Sequence, residues 1–394
     1  MNGWERRRLG DVLSIQNGFA FDSKSFDSMV GTPLIRIRDL KRGRGTETRF
    51  IGDYDRRYLV ADGDLLIGMD GDFGCYEWRG GPALLNQRVC RLRDFSEALL
   101  PRFLFYGVNS YLKAIEDVTG YTTVKHLSSK QILSIEFPTP PISEQQRIVA
   151  LLDEVFGGIA SAATCTETNL RNARTVFESQ LDRVLAAPSD EWSLGIPLSA
   201  LLSVQPRNGW SPPKEYQTDT GVPVLTLSSV TGFEYDGSKV KLTSAPTVEG
   251  AHYWLQPGEI LVTRSNTPAL VGHVAMYDGV PAHAICCDLI MKMTVDSEKA
   301  LTRFIYYYMR SSTGRSYLTE RATGANPTMV KIGKGVVQDM PVPLPSLRIQ
   351  RNLVDLLDRT LVETRRLESV YRRKLSALDA LNRSLLNAAF SGSL

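Results

Sequence analysis

The sequence is poor in the features from which metal centres, disulfide frameworks and membrane spans are built. It has four histidines and five cysteines in 394 residues, and no two cysteines form a CxxC pair. An odd number of unclustered cysteines is typical of a reducing compartment. No stretch approaches about 18 consecutive apolar residues, and the N-terminal segment lacks an apolar signal-peptide core. We therefore expect a cytoplasmic protein with no membrane span and no bound metal.

The sequence also lacks an excess of either charge. It contains 46 basic and 43 acidic residues, for a net charge of +3. This balance excludes a uniformly basic nucleic-acid-binding surface but permits local basic patches. The length favours two or three domains, at about 150 residues per domain.

One cluster of metal-binding residue types, His283, Cys286 and Cys287, needs a separate explanation. The apolar pattern of residues 282–290 predicts a β-strand, in which adjacent side chains point to opposite faces. Cys286 and Cys287 could hardly share one ion in that geometry. We interpret both cysteines as packing residues.

The sequence repeats itself with a period of about half its length. Short motifs recur in unchanged order: Trp4–Gln16 and Trp192–Gln205, Asp62–Ile67 and Pro257–Val262, Arg102–Tyr106 and Arg303–Tyr307, Glu144–Asp153 and Ile349–Asp358. A long internal repeat determines the architecture before any single motif does. The chain is therefore predicted to contain two similar domains, each followed by the same kind of connecting segment.

Each copy mixes short β-rich runs with at least one aromatic amphipathic helix, near residues 99–113 and 300–318, and this predicts an α+β domain. The segments that follow have almost no glycine or proline and carry apolar residues at alternating spacings of three and four, which predicts long helices with a heptad seam. Our domain prediction is 1–141 and 188–346 for the two α+β domains, and 142–187 and 347–394 for the helices. Two seams of equal length favour an antiparallel coiled coil in a pseudo-two-fold arrangement.

These motifs resemble those of the specificity subunits of type I restriction-modification systems. Those subunits have two target-recognition domains, each followed by a long helix that begins with a PP-x-x-EQ-x-x-I motif. The first copy, Pro140–Ile148, matches this motif closely, whereas the second, Pro345–Leu353, lacks one proline and the glutamate. The Gly-Asp-(Ile/Leu)-Leu turn of the family resembles Gly63–Leu66 and Gly258–Leu261.

The resemblance implies a non-catalytic subunit that reads a bipartite, asymmetric DNA target. It implies double-stranded DNA and two copies of a DNA adenine methyltransferase as partners, with a restriction or translocase subunit in some systems. It implies no cofactor in this chain, S-adenosylmethionine in the methyltransferase, and ATP and Mg²⁺ in a restriction partner. The residues that would bind the partner subunits are Glu144, Gln145, Arg147, Gln350 and Arg351.

Candidate DNA-binding residues follow from the chemistry of base and phosphate recognition. Arginine can donate two hydrogen bonds to guanine, asparagine can pair with adenine, and lysine or hydroxyl side chains suit phosphates. In the first domain the candidates are the basic segment Arg36, Arg38, Lys41, Arg42 and Arg44, and the loop residues Thr122, Thr123 and Lys125. In the second they are Arg207, Ser228, Ser229, Arg264, Asn266, Asn326, Thr328 and Lys331.

Two other classes of function compete with this interpretation. A fused methyltransferase or nuclease would need motifs that are missing, such as an Asn/Asp-Pro-Pro-aromatic loop or an acidic pair followed by Glu-x-Lys. A duplicated protein-binding scaffold is compatible with the near-neutral charge. A salt titration separates the scaffold from a DNA reader, because phosphate contacts weaken steeply as salt rises.

Overall fold

The fold was examined in a computed structural model that describes residues 4–118, 126–186, 191–326 and 328–393, without the side chains of 325 and 326. The chain forms two compact units. Unit 1 comprises residues 1–166 and 373–394, and unit 2 comprises residues 167–372. Each long helix is therefore divided between the two units.

Unit 1 is a mixed α/β structure built on short strands. Its strands are β1 (Arg6–Arg8), β2 (Ser14–Asn17), β3 (Phe26–Asp27), β4 (Thr32–Ile35), β5 (Arg49–Phe50), β6 (Leu59–Val60), β7 (Leu65–Gly68), β8 (Cys75–Glu77), β9 (Ala83–Leu85), β10 (Val89–Arg93) and β11 (Glu136–Pro138). Its helices are α1 (Leu9–Val12), α2 (Ile37–Leu40), α3 (Pro101–Val118), α4 (Ser129–Leu133) and the first part of α5 (Ile142–Leu185).

These strands form three sheets. One sheet is antiparallel in the order β2-β10-β7-β8, and a second has the order β3-β5-β4-β9-β6 with β4 and β9 parallel. The pair β1-β11 closes the domain just before α5 begins. The strand β7 is buried along its whole length, as expected for a continuous apolar run in the middle of a sheet.

Unit 2 repeats most of this arrangement. Its strands are β12 (Ser193–Pro197), β13 (Leu202–Asn208), β14 (Gln217–Thr218), β15 (Val222–Leu225), β16 (Val240–Thr243), β17 (Ile260–Thr263), β18 (Ser265–Asn266), β19 (Val274–Met276), β20 (Ile290–Val295), β21 (Thr323–Asn326), β22 (Met329–Lys331) and β23 (Pro341–Leu344). Its helices are α6 (Thr302–Arg310), α7 (Ser312–Glu320), α8 (Lys334–Gln338) and the first part of α9 (Leu347–Ser391). The sheets β13-β20-β17-β19, β14-β16-β15 and β12-β23 correspond to β2-β10-β7-β8, β3-β5-β4 and β1-β11, and β18-β22-β21 is an additional sheet.

The helical region predicted near 300–318 consists of two consecutive helices. Ser311 has an extended backbone (ψ 162°), and its hydroxyl accepts a hydrogen bond from the Gly314 N–H at 3.2 Å. Because a serine hydroxyl that caps an N–H group starts a new helix, α6 ends at Arg310 and α7 begins at Ser312.

The predicted strand over 282–290 is wrong. Only Ile285 forms isolated β-bridges there, and regular pairing begins at Ile290. The conclusion about the cysteines does not depend on the strand, because Cys286 and Cys287 are both buried. Burial raises the pKa of Cys287 to about 11, which keeps its thiol protonated at neutral pH.

The two long helices bury the residues of the predicted seam within each unit. In unit 1, Leu152 of α5 and Ala389 of α9 belong to the same core cluster as α3. In unit 2, Phe177 of α5 and Leu357 and Leu361 of α9 share a core with α6. An ion pair between Arg174 and Glu368 at 3.3 Å also links the helices of unit 2. The antiparallel coiled coil along the whole length of the helices stays a prediction.

By length and composition, α5 is apolar enough to cross a membrane. Only 17% of its most apolar 18-residue stretch is buried within the protein. One such helix is weak evidence of a membrane span, because the core helix of a soluble protein passes the same test.

Candidate nucleic-acid interface

The basic segment of the first domain starts at a turn that a buried carboxylate holds. The backbone N–H of Arg36 donates to Asp39 at 2.9 Å, and the hydroxyl of Thr46 donates to the same carboxylate oxygen at 2.9 Å. Asp39 is 2% exposed. Asp39 caps the short helix α2, and β4 therefore ends at Ile35.

The five candidate cations of this segment are all exposed, but acids lie beside three of them. The Arg38 guanidinium lies 4.0 Å from the Asp39 carboxylate. Lys41 pairs with Asp72 at 2.6 Å, and Arg42 pairs with Glu47 at 3.0 Å. The hydrogen bond with Asp72 raises the pKa of Lys41. In the part of the chain that the structure describes, Arg36 and Arg44 form no ion pair, so their charge is the more accessible to a phosphate or a base.

The same turn recurs in the second domain with a hydroxyl in place of the carboxylate. The Thr226 N–H donates to the Ser229 hydroxyl oxygen at 3.2 Å, and this hydroxyl donates to the Lys239 carbonyl oxygen at 2.6 Å. Ser229 is 0% exposed, so it corresponds to Asp39 and holds the turn. The prediction that Ser229 contacts DNA is therefore corrected, because the Ser229 side chain does not reach the surface. Ser228 is exposed and corresponds to Arg38.

The strand beside each turn reveals an exchange of side chains between the domains. The Arg38 guanidinium donates to the Thr48 hydroxyl at 3.1 Å. The Leu34 N–H bonds to the Thr48 carbonyl, and in the equivalent register Val224 pairs with Lys241. The first domain therefore has a cation, Arg38, on the turn and a hydroxyl, Thr48, on the strand. The second domain has a hydroxyl, Ser228, on the turn and a cation, Lys241, on the strand.

Ser228 and Lys241 line one cleft of about 460 Å³ in unit 2, together with Lys214 and Gln217. Its walls also include apolar side chains such as Val224 and Leu289. Lys214, Gln217 and Lys241 are not among the residues predicted from the sequence. Of these three, only Lys241 could have been found from the internal repeat, because aligning β16 with β5 places Lys241 at the position equivalent to Thr48.

The remaining candidates of the second domain lie on or beside strands of two sheets. Arg207 is exposed on β13 and pairs across the sheet with Lys292. The pairing of β18 with β22 brings Asn266 beside Val330 and places Lys331 opposite Ser265. Arg264 is half-buried, and its guanidinium lies 3.4 Å from the Asp288 carbonyl oxygen.

The structure limits what the other loop candidates can offer. The Asn266 side-chain oxygen accepts the Thr267 N–H at 2.9 Å, which leaves its amide N–H groups to donate. Thr328 is exposed at the turn between β21 and β22. Asn326 ends β21, but its side chain lies outside the described part of the structure, as do Thr122, Thr123 and Lys125.

The predicted subunit-binding residues separate into buried and exposed groups. Gln145 and Gln350 are 0% exposed and bond to backbone groups of their own unit, so the prediction that they bind a partner is corrected. Glu144 pairs with Arg147 at 2.8 Å on the surface of α5. This pairing lowers the pKa of Glu144 and raises that of Arg147. Arg351 is exposed near the start of α9.

The candidate surfaces carry hydrogen-bond donors and cations rather than a set of metal ligands. Among the described residues, no group of three or more histidine, cysteine, aspartate or glutamate side chains could hold a metal ion. Guanidinium, ammonium and hydroxyl groups can donate to the phosphates and base edges of DNA.

The chain is similar over its full length to specificity subunits of type I restriction enzymes. The EcoBI subunit of Escherichia coli is 26% identical over all of this chain and 86% of its own length, and the EcoKI subunit of E. coli K12 is 20% identical over 100% and 89%. The family model for the type I restriction modification DNA specificity domain matches residues 1–166.

Solved structures share the fold. A chain from a study of complex assembly and conformational transition of the type I R-M system aligns with a TM-score of 0.77 and 18% identity, covering 100% of this chain and 99% of that one. The HsdS subunit of Thermoanaerobacter tengcongensis aligns with a TM-score of 0.54 and 18% identity, covering 100% and 98%. The similarity over the full length, together with the matching specificity domain at residues 1–166, relates the chain to the DNA specificity subunits of type I restriction-modification systems.

Proposed function

We propose that the two recognition domains read two different half-sites of one asymmetric DNA target. The observation that carries this proposal is the exchange at the equivalent turns, Arg38 with Thr48 in one domain and Ser228 with Lys241 in the other. The two backbones match, but the donors differ in length, charge and position. Because base discrimination depends on where donors and acceptors lie, two such surfaces select different bases.

The long helices are suited to hold two half-sites at a set distance. The helix α5 has 44 residues, which corresponds to about 66 Å at 1.5 Å per residue. One turn of DNA measures about 34 Å. A helix of this length supports recognition of the DNA at two separate places in the major groove.

We assign the chain double-stranded DNA, two copies of a DNA adenine methyltransferase and, in a complete system, a restriction subunit as partners. Its cofactor chemistry resides in these partners, with S-adenosylmethionine in the methyltransferase and ATP and Mg²⁺ in the restriction subunit, and the complex acts in the cytoplasm. The helix α9 carries the exposed apolar side chains Leu356, Leu367 and Val370, which supports a docking surface for a partner subunit on this helix. Exposed apolar groups on a helix are typical of protein–protein contacts.

The test is to substitute one cation in each domain. Arg38→Ala should weaken binding only to targets that retain the half-site read by the first domain. Lys241→Ala should weaken binding only to targets that retain the half-site read by the second domain. Each loss should be about 1 to 3 kcal/mol if the side chain contacts a base. Binding is measured by titrating the reconstituted complex against targets with one half-site scrambled.

Lys299→Ala is the matched control, because Lys299 pairs with Asp296 ahead of α6 and away from the cleft. It should leave both half-sites unaffected. If Arg38→Ala and Lys241→Ala weakened binding to every DNA equally and lowered the dependence on salt, both side chains would contact phosphates. Binding that is insensitive to salt and to sequence would favour a protein-binding scaffold instead.

A further inference from the structure

A buried glutamine joins each recognition domain to its long helix. In unit 1, the Gln145 side-chain N–H groups donate to the carbonyl oxygens of Ala98 and Pro140, both at 2.8 Å, and its oxygen accepts the Leu100 N–H at 2.9 Å. Two of these bonds reach the backbone just before α3, and the third reaches the backbone just before α5. We call Gln145, and its counterpart Gln350, the glutamine anchors.

Gln350 makes two of these three contacts in unit 2, 205 positions further along the chain. Its side chain donates to the Pro345 carbonyl oxygen at 2.9 Å and accepts the Leu301 N–H at 2.8 Å, directly before α6. The surrounding motif differs between the copies, since Glu144 is replaced by Ile349. The glutamine persists where its neighbours have changed, which points to a role in the contact itself.

An aspartate forms a second attachment eight residues after each glutamine. Asp153 accepts from Arg102 at 2.6 Å and from the Tyr106 hydroxyl. Asp358 likewise accepts from Arg303 at 2.6 Å and from the Tyr307 hydroxyl. Despite partial burial, the contacts with Arg102 and Tyr106 lower the pKa of Asp153, so it is charged at neutral pH. We call these two groups the aspartate anchors.

Two attachment points constrain more than one would. Eight residues of helix span about 12 Å, at 1.5 Å per residue. A single contact would let the domain pivot on the helix, whereas two contacts 12 Å apart set both its tilt and its rotation. Apolar packing resists separation but tolerates small rotations, and fully satisfied buried hydrogen bonds select one geometry.

We propose that the glutamine and aspartate anchors are positioning residues that fix the angle of each recognition domain on its helix and thereby the spacing of half-sites that the subunit accepts. This inference rests on the proposed reading of a bipartite target. It assigns no contact with DNA to any of these residues.

The test uses Gln145→Leu and Gln350→Leu in the reconstituted methyltransferase complex. Methylation is measured on targets that keep both half-sites but differ by one base pair in the spacer. The preference for the best spacer over its neighbours should fall about tenfold, the effect of losing one to two net hydrogen bonds. The bases recognised in each half-site should be unchanged, because no reading residue is altered.

Gln146→Leu is the matched control, since Gln146 is the exposed neighbour of Gln145 and undergoes the same chemical change. It should keep the wild-type preference. Where a glutamine variant does not fold, Tyr106→Phe removes only the hydroxyl that contacts Asp153 and should relax the preference in the same direction.

The outcomes distinguish this inference from the function on which it rests. A wild-type complex without any spacer preference would contradict the bipartite reading. The positioning role would be overturned if the Gln145→Leu, Gln350→Leu and Tyr106→Phe variants all fold and all keep the wild-type spacer preference. The proposed function would remain in place.

Discussion

At the residue scale, the recognition domains separate the side chains that hold a turn from those that vary on it. Asp39 and Ser229 are buried and perform the same backbone task, although one is an acid and the other an alcohol. Their exposed neighbours Arg38 and Ser228 do not hold the backbone of the turn. A common scaffold can therefore present different donors to DNA without a change in the backbone.

A buried histidine gives unit 2 a testable pH dependence. The His273 ring nitrogen accepts the Gly232 N–H at 2.9 Å, and the ring stacks on Phe233 with centroids 4.1 Å apart. Burial and the nearby charge of Arg315 lower the pKa of His273 to about 4. The unfolded chain, with a histidine pKa near 6.5, therefore takes up a proton at higher pH than the folded chain does.

We expect the free energy of unfolding of unit 2 to fall as the pH drops from about 6.5 to about 4, by roughly 3 kcal/mol at the most. Urea denaturation at pH 7.5 and pH 5, with a probe in unit 2, measures the change. His273→Asn keeps a side-chain acceptor but cannot titrate, so its pH dependence should be smaller. An identical pH dependence in the variant would show that other groups cause it.

At the scale of secondary-structure elements, α3 and α9 make a close contact within unit 1. A Cβ atom added at Gly107 of α3 would lie 2.4 Å from the Phe390 ring and 2.8 Å from Phe137. Alanine favours helices over glycine by about 1 kcal/mol, but overpacking of a core costs about 1 to 3 kcal/mol. Steric crowding should therefore outweigh helix propensity at this position.

Gly107→Ala should lower the thermal unfolding temperature of unit 1, whereas Gly157→Ala on α5 should raise it slightly. A Cβ atom at Gly157 meets nothing within 4 Å, so the same substitution there tests propensity alone. Differential scanning calorimetry of the two variants provides the comparison. Equal shifts in both variants would show that Phe390 does not pack against α3 as described.

The long helices were predictable because their signal is long and periodic. The observed bounds, Ile142–Leu185 and Leu347–Ser391, lie within a few residues of the predicted segments. The segment after β4 was not predictable in this way. Its alternation of apolar and charged residues is typical of a strand, but the bond from the Arg36 N–H to Asp39 turns the chain into α2.

The candidate site was less accessible to sequence reasoning than the fold. Gln145 was predicted to bind a partner because it belongs to the motif that resembles the family's PP-x-x-EQ-x-x-I. It lies three residues before buried Ile148, however, and so on the same helical face. That register was a usable signal for burial. No comparable signal marked Lys214 or Gln217, because only the folded cleft brings them to Ser228.

At the scale of the whole molecule, the alternation of domain and helix predicts that length controls target choice. Inserting four residues after Thr166 lengthens α5 by about 6 Å. Four residues nearly preserve the heptad face, so the seam should survive as a stutter. The preferred spacer should grow by one or two base pairs, at about 3.4 Å per pair, with both half-site sequences retained.

Methylation by the reconstituted complex across a spacer series measures this effect. The same insertion after Glu249, in an exposed loop of the second domain, should leave the preferred spacer unchanged. A folded and active Thr166 insertion variant with the original spacer preference would show that α5 does not set the distance.

The central claim is that one chain reads two different DNA segments, and mapping methylated adenines in a genome tests it most directly. The chain is expressed with its methyltransferase partner in cells that lack other adenine methylation, and every modified site is sequenced. The account predicts one asymmetric motif with two specified segments, a spacer of fixed length and unspecified sequence, and loss of specificity in one segment only for Lys241→Ala. A single uninterrupted motif, or methylation that does not depend on this chain, would contradict it.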